Sequence, residues 1–227
     1  MGSIEYIKSS ANKAKKNNRE YYLFNDIPVM IKDFISNDEI NLSNVLKRIE
    51  QNIPKNLFSN LDAMYVGEFP ELDAKNVESV YMDGAIYLSN NQIDEENLYK
   101  SIIHELAHNL EEYYQEDIYG DEKIISEFIS KRKNLRNILE SNKLFCNPVL
   151  YLKLEFDEEF DNFLYKTVGY DKLTLLSANI FLSPYAATSL REYFSNGFEH
   201  YFSDIRSEYF NKLCPKLYFK ISSLTKE

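Results

Sequence analysis

Residues 104–108 of this chain read His104-Glu105-Leu106-Ala107-His108, and they follow the segment Asp94-Glu95-Glu96-Asn97-Leu98-Tyr99-Lys100-Ser101-Ile102-Ile103. That segment begins with acidic residues and contains neither glycine nor proline, which is typical of the first turns of a helix. Apolar residues then recur at helical spacing, at positions 103, 106, 107 and 110. The sequence therefore predicts a helix over residues 95–114 with one buried stripe and a polar flank.

The two histidines of this motif are four residues apart, which places them one turn apart on the same face of a helix. Two imidazoles in that arrangement can bind a single metal ion, and the neighbouring Glu105 can hold and deprotonate a metal-bound water. This spacing predicts a zinc hydrolase, and specifically a metalloprotease. The alternative is a pair of core histidines whose ring nitrogens are satisfied by carboxylate or carbonyl partners.

A catalytic zinc site usually has three protein ligands, so one more residue is needed. The only other histidine is His200, and 36 acidic residues compete with it. Residues 183–202 form the best candidate segment, because a predicted helix there has an apolar stripe and a polar edge formed by Ser189, Glu192, Asn196 and Glu199. Glu192 is the first acid on that edge and is our candidate, with Glu199 and His200 as alternatives. A merely solvated helix face is the simpler explanation of both glutamates.

The remaining pattern predicts an α+β fold. Short β-rich runs at 61–69, 77–82 and 85–89 suggest a small sheet with a hairpin turn at Asp83-Gly84, and Ile27–Ile31 could add a strand. Helices are expected over 41–53, 121–141, 158–165, 173–182, 188–202 and 207–213. We expect a single domain over 1–227, which consists of a mainly helical segment (1–56), a small N-terminal mixed sheet with the motif helix (57–115), a helical insertion (116–182) and the third-ligand helix with the tail (183–227).

Composition excludes several functional classes. The net charge of −10 argues against a nucleic-acid partner, and the short basic cluster from Lys13 to Arg19 is interpreted as a solvated helix face. Two isolated cysteines predict neither a disulfide framework nor a second metal site. No apolar run is long enough to span a membrane and no signal segment is recognisable, so a cytoplasmic location is expected, with secretion by other routes left open.

The motif together with a downstream glutamate resembles the gluzincin metallopeptidases, and most closely the branch that contains anthrax lethal factor and the Pro-Pro endopeptidases. The local match is a tyrosine seven residues ahead of the glutamate ligand, here Tyr185 before Glu192-Tyr193-Phe194. Residues 183–194 are also similar to uncharacterised zinc peptidases predicted in phages and large DNA viruses. The 84 positions between His108 and Glu192 exceed the spacing in compact members, which is why residues 116–182 are interpreted as an insertion.

The resemblance implies a zincin-like fold and a single Zn²⁺. It makes Glu105 the general base, Tyr185 the hydroxyl that stabilises the oxyanion, and the strand Ala85–Ser89 the edge on which an extended peptide or protein substrate lies. Its implied metal ligands are His104, His108 and Glu192. Candidates for supporting the imidazoles are Asn109, Glu111, Glu112 and Asn196.

The predicted activity is that of a zinc endopeptidase, and the alternative is an inactive peptidase-fold protein that binds zinc and acts as a binding or structural component. The sequence does not indicate an oligomeric state.

Overall fold

A computed structural model describes residues 21–75, 77–203 and 207–226. The predicted α+β fold is confirmed, with a five-stranded mixed sheet in the N-terminal part and mostly helices in the C-terminal half. Internal contacts divide the chain into two compact units, one through Glu105 and one from Leu106 onward. Among the described residues, no helix combines the length and the apolar character that crossing a bilayer requires.

The sheet of the first unit has the strand order β1-β2-β3-β5-β4. Neighbours β1/β2 and β4/β5 are antiparallel, whereas β2/β3 and β3/β5 are parallel. The side chains of Met64, Val66, Ile86 and Leu88 are fully buried and form the centre of the core. The strands are β1 (Tyr21–Leu23), β2 (Ile27–Ile31), β3 (Ala63–Gly67), β4 (Ser79–Met82) and β5 (Ala85–Ser89).

The predicted hairpin between β4 and β5 is confirmed. Asp83 and Gly84 occupy its two turn positions with φ values of 49° and 79°. Positive φ at both positions is the requirement of a type I′ turn, whose twist matches that of the flanking strands. The positive φ of Gly84 favours glycine at that position, and a Cβ atom there would also lie 2.6 Å from the Asp62 carboxylate, which would have to move.

The N-terminal region departs from the prediction in one respect. Strand β1 was not expected, and because β1 and β2 both belong to the sheet, the sheet begins before the boundary that we had placed at residue 57. The basic cluster from Lys13 to Arg19 lies outside the described residues. The helices of this region are α1 (Leu42–Asn52), a 3-10 helix (Lys55–Phe58) and α2 (Pro70–Lys75). Helix α1 begins as predicted, because the Asn41 side chain accepts a hydrogen bond from Ser43 N.

Helix α3 (Glu95–Tyr119) carries the motif and extends five residues beyond its predicted end. Tyr114 departs from helical geometry (φ −120°, ψ 27°), which marks a kink at the predicted terminus. The predicted stripe is buried: Ile103, Leu106 and Ala107 are fully inaccessible and Leu110 is 2% exposed. The polar flank is therefore the side of the helix on which the motif residues lie.

Helices of the second unit largely follow the prediction, with two corrections. The segment expected to be helical over 158–165 is a short α-helix followed by a π-helix (Phe163–Gly169), and a C-terminal helix was missed. That helix begins at Pro215, and the Glu127 carboxylate accepts hydrogen bonds from Lys216 N and Leu217 N at its first turn. The α-helices are α4 (Lys123–Ser141), α5 (Glu158–Asn162), α6 (Tyr170–Ser177), α7 (Leu190–Ser203), α8 (Ser207–Leu213) and α9 (Pro215–Leu224), with 3-10 helices at Pro148–Leu152 and Tyr185–Ala187.

Helix α7 packs against α4, α8 and α9. The rings of Phe128 and Phe181 pack against Tyr193, with centroid separations of 5.4 and 5.9 Å. A Cβ atom on Gly197 would approach Leu217 to 2.3 Å, so the glycine permits close contact between α7 and α9. Close packing of this kind restricts the positions of the buried side chains on α7.

Candidate metal centre

Three side chains of α3 and α7 converge. His104 and His108 lie one turn apart on α3, and Glu192 lies in the first turn of α7. One ligand atom from each of the three lies within 4.8 Å of the other two. His108 Nε2 and Glu192 Oε1 lie 3.7 Å apart. The structure thus brings together the three residues predicted as ligands, although the last two lie 84 positions apart in the chain.

The donor set suits a catalytic zinc ion. Zinc in such sites is bound by imidazole nitrogens and carboxylate oxygens at about 2.0–2.2 Å, so tetrahedral neighbours lie about 3.4 Å apart. The 3.7 Å separation of His108 and Glu192 is close to that value. Three donors leave a fourth position for water, whereas a structural site would use all four positions. Within the described residues, it is Glu192, and not Glu199 or His200, that groups with the two histidines.

The carboxylate of Glu192 is oriented by its own helix. Ser189 Oγ accepts a hydrogen bond from Glu192 N at 3.1 Å, and Ser195 Oγ donates to Glu192 Oε2 at 3.3 Å, which leaves Oε1 directed at His108. The Glu192 side chain is only 15% exposed, and Ser189 and Asn196 are buried. A solvated helix face is therefore not what the structure shows at this position. The role of Ser195 was missed, because a serine inside a helix has no distinguishing sequence signal.

The His108 ring is held by a carboxylate. Glu111 Oε2 lies 3.0 Å from His108 Nδ1, and its other oxygen accepts a hydrogen bond from the Tyr119 hydroxyl. Burial, reinforced by the Glu111 charge, raises the pKa of Tyr119 well above its usual value, so this hydroxyl keeps its proton and donates at neutral pH. A carboxylate on the second ring nitrogen sets the tautomer of a metal-binding histidine and increases its basicity. Of the four candidates, Glu111 is one that the structure places against the His108 ring.

Arg191 approaches the same nitrogen from the other side, with Nε 2.9 Å from His108 Nδ1 and 3.6 Å from Glu111 Oε2. One ring nitrogen cannot both accept from Arg191 and donate to Glu111. If Nε2 binds a metal ion, Nδ1 must carry the proton, and the bond to Glu111 is then the one that forms. Arg191 remains close enough to interact electrostatically with the Glu111 carboxylate.

Glu105 is 5% exposed and is held by strand β4. Its Oε1 accepts a hydrogen bond from Ser79 Oγ, and its Oε2 accepts one from Tyr81 N, both at 2.7 Å. A carboxylate oxygen can accept more than one hydrogen bond, so these contacts orient the group without using all of its acceptor capacity. Neither contact could be predicted from the sequence, because both depend on how the strand lies against the helix.

The predicted substrate edge was wrong. Strand β5 (Ala85–Ser89) is hydrogen-bonded on both sides, to β3 and to β4, so no peptide can pair with it. At this end of the sheet the edge strand is β4. Ser89 N donates to Glu78 O, so in this antiparallel pair the backbone groups of Ser79 and Tyr81 point away from β5. The prediction failed because both strands of a hairpin have similar sequence patterns, and only the parallel pairing of β3 with β5 leaves β4 outermost.

Tyr185 begins the 3-10 helix that precedes α7, and 39% of its surface is exposed. Its role as the oxyanion hydroxyl stays a prediction from its spacing to Glu192. The adjoining backbone is held by a residue that the sequence did not point to. Arg132 of α4 is fully buried and donates hydrogen bonds to the carbonyls of Lys153, Ala187 and Thr188.

Burial lowers the pKa of Arg132 to about 10, so the guanidinium is still charged at neutral pH. Its plane lies over the Phe128 and Phe160 rings, at 4.9 and 4.2 Å from their centroids. A buried cation that is hydrogen-bonded to backbone carbonyls and covered by aromatic rings holds the segments that it contacts in a fixed arrangement. The predicted insertion therefore helps to hold the segment that leads to Glu192.

A scan against protein-family models, a search of curated proteins and a search of solved structures each found no match for this chain. The function proposed below therefore depends on the chemistry of the residues that the structure brings together.

Proposed function

We propose that this protein is a zinc-dependent endopeptidase. The observation that supports this most strongly is the convergence of His104, His108 and Glu192 around a point that one metal ion could occupy. Glu105 directly follows the first of these ligands in α3, which is the position of the general base in hydrolases with this motif. The resemblance to gluzincins of the lethal-factor type supports the same proposal and predicts Tyr185 as a further catalytic group.

When bound, a Zn²⁺ ion would supply Lewis acidity toward the scissile carbonyl and toward a water molecule. Side chains of the protein would transfer the protons and stabilise the developing negative charge. Glu105 would accept a proton from the water at one carboxylate oxygen and later pass it to the leaving amine. Ser79 and Tyr81 would keep that carboxylate in one orientation, and the Tyr185 hydroxyl would donate to the oxygen on which negative charge develops.

The substrate would be an extended peptide. Strand β4 has an outer edge on which the backbone N–H and C=O of Ser79 are presented for pairing with another strand. Pairing of this kind selects extended segments rather than helices. We also propose a cytoplasmic location, which is expected from the sequence alone.

One observation favours the alternative of an inactive zinc-binding protein. Both carboxylate oxygens of Glu105 already accept hydrogen bonds from β4, so the residue could serve only to tie the helix to the strand. The active and the inactive protein differ in whether the negative charge of Glu105 is required. In a purely structural role, glutamine can replace it, because its amide can accept from Tyr81 N and donate to Ser79 Oγ.

The deciding experiment compares the zinc-loaded wild type with Glu105→Gln on a diverse peptide library. The proposal predicts one zinc per chain in both proteins and a fall in cleavage rate of about 100- to 10,000-fold in the variant, which is the usual contribution of general acid–base catalysis. Ser79→Ala is the control, since it removes one contact to Glu105 but keeps the carboxylate. It should retain a measurable fraction of the activity. Equal cleavage rates in wild type and Glu105→Gln would show that the residue is structural.

A further inference from the structure

The second unit contains a cavity of about 330 Å³ beside His108, which we call the His108 cavity. Its walls come from four segments: the C-terminal half of α3, the start of α4 at Ile125, the loop at Leu154 and Glu155, and the start of α7. A hydrogen bond from Leu190 N to Leu154 O, 2.8 Å long, joins the loop to α7. His108, a proposed metal ligand, is one of the wall residues, and so is Glu111, which lies 3.0 Å from His108 Nδ1. The cavity therefore adjoins the proposed metal centre.

The lining of the His108 cavity has two parts. Ile125, Leu154 and Leu190 contribute apolar surface, whereas Glu112 and Glu155 are exposed carboxylates. In the part of the chain that the structure describes, neither of these two carboxylates forms a hydrogen bond or an ion pair with another side chain. They are therefore available to a ligand that enters from solvent.

The other charged groups in the cavity already have partners. Glu111 binds His108 and Tyr119, and it also lies 3.6 Å from Arg191 Nε, so the Arg191 charge is largely offset. The carboxylates that remain give the cavity a negative potential. A ligand that suits it has a long apolar stem and a positive end, because the stem can cover the apolar wall while the charged end stays at the carboxylates.

We propose that the His108 cavity is a subsite that recognises a lysine or arginine side chain of the substrate. This inference rests on the proposed peptidase function and adds to it the class of residue that the enzyme selects. An acidic substrate side chain would be repelled by Glu112 and Glu155, and a short apolar one would not reach them. Leu154 and Glu155 belong to residues 116–182, so the proposal also gives this helical region a role in specificity.

The test uses two sets of peptides that differ only by lysine or its uncharged analogue norleucine at single positions. Cleavage by the zinc-loaded wild type should favour lysine at one position. In the double variant Glu112→Gln/Glu155→Gln, the ratio of kcat/KM for the lysine and norleucine peptides should fall about tenfold, which is the size expected for charged contacts at a partly exposed site. The matched control is Glu158→Gln, which removes a charge from an exposed position outside the cavity and should leave the ratio unchanged.

Binding separates failure of this inference from failure of the proposed function. The lysine and norleucine peptides are titrated into zinc-loaded Glu105→Gln, with and without the two cavity substitutions. Preferential binding of the lysine peptide that the substitutions abolish supports the subsite even if no peptide is ever cleaved. Cleavage or binding with no preference for lysine, or a preference that the double variant keeps, overturns the subsite while leaving the peptidase proposal intact.

Discussion

The contact between Glu111 and His108 makes the sharpest quantitative test of the metal centre. Glu111→Gln keeps the shape of the side chain and its capacity to accept a hydrogen bond, but it removes the negative charge from the group that faces His108 Nδ1. Both side chains are only 9% exposed, so water screens this interaction weakly. The substitution also leaves the nearby Arg191 charge without its acidic partner.

Loss of a carboxylate behind a metal-binding histidine lowers metal affinity by about 10- to 100-fold. This corresponds to about 1.4–2.7 kcal/mol of binding free energy. We expect the upper half of that range, because the uncompensated guanidinium adds repulsion toward a divalent cation. Tyr119→Phe should have a smaller effect, since it removes one hydrogen bond to Glu111 and leaves the charge in place.

The assay is competition for Zn²⁺ with a chelator of known affinity at fixed pH. Glu112→Gln is the matched control, because it removes the same charge one residue further along α3 at an exposed position, and it should change the affinity by less than about threefold. Urea unfolding of the metal-free proteins checks that the fold is retained. An unchanged affinity in Glu111→Gln, or an equal loss in Glu112→Gln, would refute the view that Glu111 acts through His108.

Three further predictions concern the second unit. Arg132→Met should lower the free energy of unfolding in urea by about 3–5 kcal/mol, because it leaves buried carbonyls without their donor, whereas the surface substitution Arg136→Met should cost less than about 1 kcal/mol. Gly197→Ala should cost about 1–2 kcal/mol by the same measurement, since overpacking against the buried Leu217 side chain outweighs the gain in helix propensity. Burial raises the pKa of Tyr193 in the folded protein well above its usual value of 10. The unfolded chain therefore loses this proton first as pH rises above 10, and the free energy of unfolding falls by about 1.4 kcal/mol per pH unit. Tyr193→Phe should therefore show a shallower loss of stability in alkaline urea titrations, and an unchanged slope would contradict this.

Prediction from the sequence succeeded where a local pattern has a single physical meaning. The buried stripe of α3, helix α1 and the Asp83-Gly84 turn are each determined by residues close together in the chain. Positive φ at two successive turn residues, for example, is available to aspartate and glycine and leads to one type of hairpin. The predictions for these elements are confirmed for that reason.

Prediction from the sequence failed for features that depend on which segments of the chain pack together. Both strands of the hairpin satisfy the same pattern, and only the pairing of β5 with β3 decides that β4 is the edge. The three buried carbonyl contacts of Arg132 are equally invisible, because an arginine within a helix is usually solvated. The final helix was missed, although Pro215 is a favourable first residue, because its contact with Glu127 spans nearly ninety residues.

By itself, the sequence determined the spacing of His104 and His108, since four residues make one turn of any α-helix. It also determined which donor types are available for a third ligand, but it could not choose among Glu192, Glu199 and His200. Only the tertiary structure distinguishes them, because the grouping depends on which side chain of α7 faces His108, 84 positions earlier in the chain, and among the described residues that side chain is Glu192. The packing of α7 and the hydrogen bond from Ser195 direct the Glu192 carboxylate toward His108, and such long-range geometry has no periodic signal in the sequence.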